Sequence, residues 1–196
     1  MRVGLVLAAG QSRRFGAEDK LLAPLHGRPL CSHAFETVAS LDLDRRFACV
    51  RTDAVAERAQ AAGLEVLRVE GQPQQSDSLR RGLKAAQDCG ATQVLVTLAD
   101  MPFVPASHMA DLFDMAGHDA AASSFDRQRL PPAVFSASRF AELLALTGDQ
   151  GAGRVIQALP EPQILTLPAQ AFLDIDTAAD LERVDREAKP PKTTLK

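Results

Sequence analysis

Val3-Gly4-Leu5-Val6-Leu7-Ala8-Ala9-Gly10 opens the chain with a short apolar run that stops on small residues. A run of this length reads as a buried parallel strand, and Gly10 marks the exit from it. It is broken early by Gly4 and followed at once by Gln11-Ser12-Arg13-Arg14, which suits neither a signal peptide nor a membrane span. Ligands of open parallel sheets sit at the carboxyl ends of the strands. The polar, basic loop that runs from Gln11 to Lys20 is therefore the first place to look for a site.

Further along the chain, strand and helix patterns alternate. Residues 29–41 have helical spacing, with Leu30, Ala34, Val38 and Leu41 on one side. A strand is expected over 47–51, a helix over 54–62 stopped by Gly63, and a strand over 64–69. Residues 74–89 form a strong helix pattern ending at Gly90, and Gln93-Val94-Leu95-Val96-Thr97-Leu98 is the clearest central strand. Pro105 starts another helix. Strands are expected over 120–125, 132–135 and 164–167, and helices over 139–146, 153–159 and 177–188. This alternation predicts an α/β fold, a mostly parallel sheet covered on both faces. Residues 1–188 read as a single domain, and the Lys/Pro-rich residues 189–196 as a disordered tail.

Composition narrows the function classes. The chain has 196 residues, 46% hydrophobic and 24% charged, with a net charge of −3. That length supports one compact domain. The acidic balance speaks against general nucleic-acid binding, so phosphate recognition has to be local. Cys31, Cys49 and Cys89 are odd in number and widely spaced, which suits reduced, mostly buried thiols rather than a disulfide framework or a zinc site. These features predict a cytoplasmic protein with no membrane partner. His26, His33, His108 and His118 are scattered and are expected to be solvated or locally bonded.

The loop itself carries the chemistry. Leu7, Ala8, Ala9 and Gly10 let a ligand approach the backbone closely, and the N–H groups there and at Gln11 and Ser12 can face phosphate oxygens. Arg14 can grip phosphate with two parallel hydrogen bonds, and Lys20 adds a point charge. A P-loop is excluded because Gly16 and Lys20 are not adjacent, and no GxGxxG fingerprint or nucleophile elbow is present.

The run Leu7-Ala8-Ala9-Gly10-Gln11-Ser12-Arg13-Arg14-Phe15-Gly16-Ala17-Glu18-Asp19-Lys20 resembles the LAAGxSxRxGxxK signature of the MobA-like nucleotidyltransferase family, which includes the molybdenum-cofactor cytidylyl- and guanylyltransferases. This copy has one extra residue before Lys20. Leu98-Ala99-Asp100-Met101-Pro102 is similar to the family's LADMP segment, and the resemblance implies that Asp100 holds Mg²⁺. Taken alone, Asp100 could equally cap the following helix. Asp174-Ile175-Asp176-Thr177 resembles the family's DIDT segment. Alternation puts Asp174 and Asp176 on one side of an extended chain, which fits shared metal duty with Asp100. Ser76, Ser78 and Leu79 match a segment that faces the nucleotide in the family, although either serine could cap the helix instead. Pro132 stands in a segment that lacks the family's Gly-His, and Asp149 and Gly151 stand in one similar to its GDxGAR loop. Both segments are implied to lie on the acceptor side.

The resemblance spans Val3 to about Val184 and implies a three-layer nucleotide-diphospho-sugar-transferase-like sheet with one short antiparallel strand. The implied activity is transfer of CMP from CTP to a phosphorylated pterin acceptor, the molybdenum cofactor, with release of pyrophosphate. Arg14, Lys20 and Asp100 would be catalytic and a client molybdoenzyme would be the partner. Ala8-Ala9-Gly10 favours the cytidylyl branch. A guanylyl or sugar- or alcohol-phosphate nucleotidyltransferase, and a non-catalytic cofactor chaperone, are the competing readings.

Overall fold

A computed structural model describes residues 1–10, 15, 19–71, 74–148, 151–168, 171, 175 and 178–187. The strands are β1 (Arg2–Ala8), β2 (Pro24–Leu25), β3 (Arg28–Pro29), β4 (Arg45–Val50), β5 (Glu65–Arg68), β6 (Gln93–Leu98), β7 (Ala120–Phe125), β8 (Gln128–Ser136) and β9 (Ile164–Thr166). The helices are α1 (Leu30–Ala39), α2 (Asp53–Ala61), α3 (Gln75–Asp88), α4 (Ala106–Ala116), α5 (Phe140–Leu144), α6 (Gly153–Ala158) and α7 (Ala178–Glu187). The main sheet runs in the order β5-β4-β1-β6-β8-β7-β9. The expected α/β architecture is therefore the one observed.

β1 is central and pairs in parallel with both β4 and β6. Its alternating side chains feed two cores. Val6 and Ala8 join Phe35, Val38, Val55, Leu112 and Phe113 under α1, α2 and α4. Val3 and Leu5 join Leu79, Leu83, Phe140, Val155 and Ile156 under α3, α5 and α6. Burial on both faces explains why β1 reads as a continuous apolar run. Gly82 of α3 lets that helix lie close against β1, since a Cβ there would sit 2.3 Å from Leu5 Cδ1.

Several boundaries differ from the sequence reading. β8 antiparallels both β6 and β7, as one such strand was expected to, but it runs nine residues rather than a short stretch. Its first half escapes an apolar pattern because Gln128 to Pro131 are exposed or half-buried. The helix expected over 139–146 is a 3₁₀ turn (Ala137–Arg139) followed by α5. Pro105 takes an extended backbone as the N-cap of α4 instead of its first residue. The β2–β3 hairpin was not anticipated. It packs Leu25 with Leu30, Ile175, Leu181 and Val184 in a third, smaller core that docks α7. The tail over 189–196 lies outside the described residues. No helix among them is long and apolar enough to cross a membrane.

Candidate functional site

Adjacent parallel strands bring their carboxyl-end loops together. The β1–β6 register ends at Leu7 opposite Leu98, and the Ala99 amide donates to the Leu7 carbonyl at 3.0 Å. The exit from β1 at Ala9 and Gly10 and the loop from Ala99 to Pro105 therefore share one mouth. This sheet position is where the chain crosses from one side of β1 to the other, the usual place for a ligand crevice.

Two charged residues far apart in sequence meet there. Lys20 Nζ donates to Asp100 Oδ2 at 3.0 Å. The lysine is 7% exposed, whereas the Asp100 side chain keeps 35% of its surface. Lys20 opens a 3₁₀ turn (Lys20–Leu22) whose N-cap is Asp19. Asp19 Oδ1 accepts from the Leu21 amide at 3.1 Å, and Oδ2 accepts from Thr52 Oγ1 at 3.4 Å. Asp19 thus anchors the turn that presents Lys20. An aspartate two residues before an apolar Leu-Leu pair is a capping signal, and it was overlooked among the basic residues of the loop. The same acid and burial together push the Cys31 thiol up to about 12, with burial the larger cause, so that Cys31 is an inert core thiol. Cys49 is raised to about 12 by burial as well.

At the start of the loop Ala8 and Ala9 are buried and Leu7 is half-buried, and no described residue comes within 4 Å of where a Cβ on Gly10 would point. Gln11, Ser12, Arg14 and Gly16 lie outside the described residues, as do Asp149, Asp174 and Asp176. Ile175, between those last two acids, is buried in the third core.

A second grouping forms at the start of α3. The Ser76 amide donates to the Gly148 carbonyl at 3.2 Å, and Gly151, at φ +49°, sits where a Cβ would meet Gln75 Oε1 at 3.0 Å. The structure thereby joins the segment assigned to the nucleotide with the loop assigned to the acceptor. Ser76 is buried, and its Oγ has no partner among the described residues. Ser78 is buried and its carbonyl accepts from the Cys49 thiol at 3.1 Å. Leu79 is fully buried in the sheet-facing core. The helix cap is Gln74 with Asp77, so neither serine caps α3.

A third grouping surrounds Pro132, which is buried in β8. Its carbonyl accepts from Ser123 Oγ at 2.7 Å, and that oxygen lies 2.9 Å from His108 Nε2. His108 is 6% exposed, so of the two expected states, solvated or locally bonded, it takes the bonded one. A single polar residue on the buried face of α4 left no periodic signal by which to find it.

Among the described residues no three His, Cys, Asp or Glu side chains cluster as a metal site. Mg²⁺ asks for less than that, because it is held by one or two carboxylates with the rest of its shell from substrate phosphates and water. Asp100 fits this donor chemistry: a hard oxygen ligand, partly open to solvent, at the mouth of the crevice.

An α/β sheet whose loops meet at a switch point between β1 and β6 has the architecture of a nucleotide-binding fold. The match to the MobA-like NTP transferase domain over residues 4–163 places the chain in that family. It is 30% identical to the purine catabolism protein PucB of Bacillus subtilis, over 93% of this chain and 91% of that protein. It is 27% identical to the molybdenum cofactor guanylyltransferase of Cereibacter sphaeroides, over 93% and 94% of the two chains. Among solved structures, the manganese complex of Rv0371C from Mycobacterium tuberculosis superposes with a TM-score of 0.76 at 26% identity, covering 94% of this chain and 98% of that one.

Proposed function

We propose that this chain transfers CMP from CTP to the molybdopterin-type molybdenum cofactor and releases pyrophosphate. The observation that carries the reading is the Lys20–Asp100 pair, a nearly buried ammonium and a half-open carboxylate at the mouth of β1 and β6. Nucleotidyl transfer needs those two charges side by side, one for the phosphates and one for a divalent cation.

In this reading an acceptor phosphate oxygen attacks the α-phosphorus in line, and the bond to the pyrophosphate oxygen breaks. Lys20 and Arg14 neutralise the charge that collects on the leaving pyrophosphate. Backbone amides from Ala9 to Ser12, with the glycines at 10 and 16, hold the triphosphate. Ser76, Ser78 and Leu79 shape the base and ribose side. Pro132, Asp149 and Gly151 face the acceptor. Asp100, with Asp174 or Asp176, would hold Mg²⁺. When bound, the ion supplies Lewis-acid polarisation of the α-phosphate. The remaining work is positioning and exclusion of water, which brings two bound reactants to near-attack distance.

The preference for CTP rests on the likeness of Ala8-Ala9-Gly10 to the cytidylyl branch, in which the Ala9 methyl would narrow the base side against a purine. Transfer of GMP is the competing reading, favoured by the likeness to a guanylyltransferase. Pyrophosphate release with Mg²⁺ and molybdenum cofactor, measured for CTP, GTP, ATP and UTP, separates them. Release with CTP alone is expected. Release with GTP alone assigns the guanylyl reaction, and no release with any of the four removes the transferase reading.

A further inference from the structure

We propose that His108 and Ser123 are positioning residues that hold the Pro132 carbonyl, and with it the acceptor-side segment of β8, against the helix that follows Asp100. This inference rests on the acceptor-side reading of Pro132 given above.

The sheet leaves that segment unsupported. β7–β8 pairing passes from Ala122–Ala133 to Ser123–Leu130, so the register skips Pro131 and Pro132. On the other side, β6–β8 pairing ends at Val96–Ala133. No strand neighbour is in register with Pro132. Ser123 Oγ takes the place of a ladder bond by donating to the Pro132 carbonyl at 2.7 Å. A hydroxyl has one proton, and here it is committed to that carbonyl. The 2.9 Å contact to His108 Nε2 therefore has the imidazole as donor and Ser123 Oγ as acceptor. The ring carries its proton on Nε2, and burial, which lowers the His108 pKa, keeps it neutral.

The bond fixes a rotor that would otherwise turn. Ser123 is fully buried, so no solvent competes for its hydroxyl. Packing alone does not require histidine at 108, because Met109, Leu112 and Phe113 already fill the same core from α4. What an apolar residue cannot do is donate to Ser123. His108 stands in the first turn of α4, directly after the loop that begins at Asp100. The chain His108–Ser123–Pro132 thus ties the carboxylate-bearing loop to the skipped segment of β8, both at the carboxyl end of β6.

The test compares His108→Leu, Ser123→Ala, the double variant and His108→Gln, whose amide N–H replaces Nε2. Hydrogen exchange at the Leu130 and Ala133 amides is expected to rise about tenfold in both single variants and to return toward wild type in His108→Gln. CTP–Mg²⁺ binding should not change. In steady-state pyrophosphate release the KM for molybdenum cofactor should rise about tenfold while kcat and the KM for CTP hold, and the double variant should be no worse than the worse single one. Unchanged exchange in a folded His108→Leu or Ser123→Ala protein overturns the proposal, as does a parallel rise of both KM values. Should the wild type transfer nothing to the cofactor, the transferase reading fails by itself. The exchange data and the glutamine rescue still decide whether the pair holds the segment.

Discussion

Asp100 and Asp119 are both aspartates paired to a cation just outside a strand of the same sheet, and they sit at opposite ends of its strands. Asp119 precedes β7 at the end where β6 begins. It accepts from Arg139 Nε on one oxygen, and on the other from Arg139 Nη2 at 3.1 Å and Gln163 Nε2 at 2.7 Å. Asp100 accepts from Lys20 on one oxygen only, and its partner is nearly buried while it stays half-open. Three bonds hold the Asp119 carboxylate and fix where the ends of β7, β8 and β9 meet. Among the described residues the Asp100 carboxylate is bonded through one oxygen, beside the point where the chain leaves β1 at Gly10. An ion pair bonded through one carboxylate oxygen at the mouth of a crevice suits a site; one held through both oxygens by three bonds is a clamp.

The sharpest way to break this contrast is at Lys20. Lys20→Ala should cut turnover about 100- to 1000-fold, the usual cost of a lost preorganised donor. It should cost little stability, because the carboxylate left behind reaches solvent. Asp100→Ala should cut turnover as deeply, read in the same pyrophosphate-release assay. Wild-type turnover in a folded Asp100→Ala protein would go against a shared role for the pair. Gly82→Ala, between the two ends, should destabilise by about 1–3 kcal/mol through overpacking on Leu5, with nucleotide affinity kept in the folded fraction. Asp119→Ala should cost about 1 kcal/mol, because both partners are partly exposed, and leave kcat unchanged.

The pH dependence sharpens the same comparison. Bonds from Arg139 and then Gln163 hold the Asp119 carboxyl below its ordinary value of 3.8. Its contribution is present above that value and is lost as pH falls through the folded one. His108 is shifted below 6.5 by burial. The unfolded chain then binds a proton that the folded chain refuses, so stability falls as pH drops below about 6.5, by at most about 1.4 kcal/mol per pH unit. Thermal melts of wild type and His108→Gln should differ constantly above that pH and converge below it. Parallel curves throughout would show that His108 is not held neutral.

Much of the fold was legible because β1 and β6 are buried on both faces and spell it in apolar residues. The span of β6, Gln93 to Leu98, coincides with its sequence reading. The β2–β3 hairpin was not, because two-residue strands carry no period. Half of β8 was hidden by its exposed polar residues. At the site, the loop spacing and the acid after β6 pointed to Lys20 and Asp100, and strand order supplies the reason they meet. His108 and Ser123 were not legible, since they act through hydrogen bonds to residues that only the folded chain brings near, whereas Asp19 carried a local capping signal that the basic loop masked.

The most direct test of the central claim follows the phosphorus. CTP labelled at the α-phosphate, or separately at the γ-phosphate, is incubated with Mg²⁺ and molybdenum cofactor, and the products are separated. Nucleotidyl transfer at the Lys20–Asp100 site puts the α-label in the cofactor and the γ-label in pyrophosphate, with both signals lost in Lys20→Ala. A γ-label in the acceptor, or α-label transfer that survives Lys20→Ala, would contradict it.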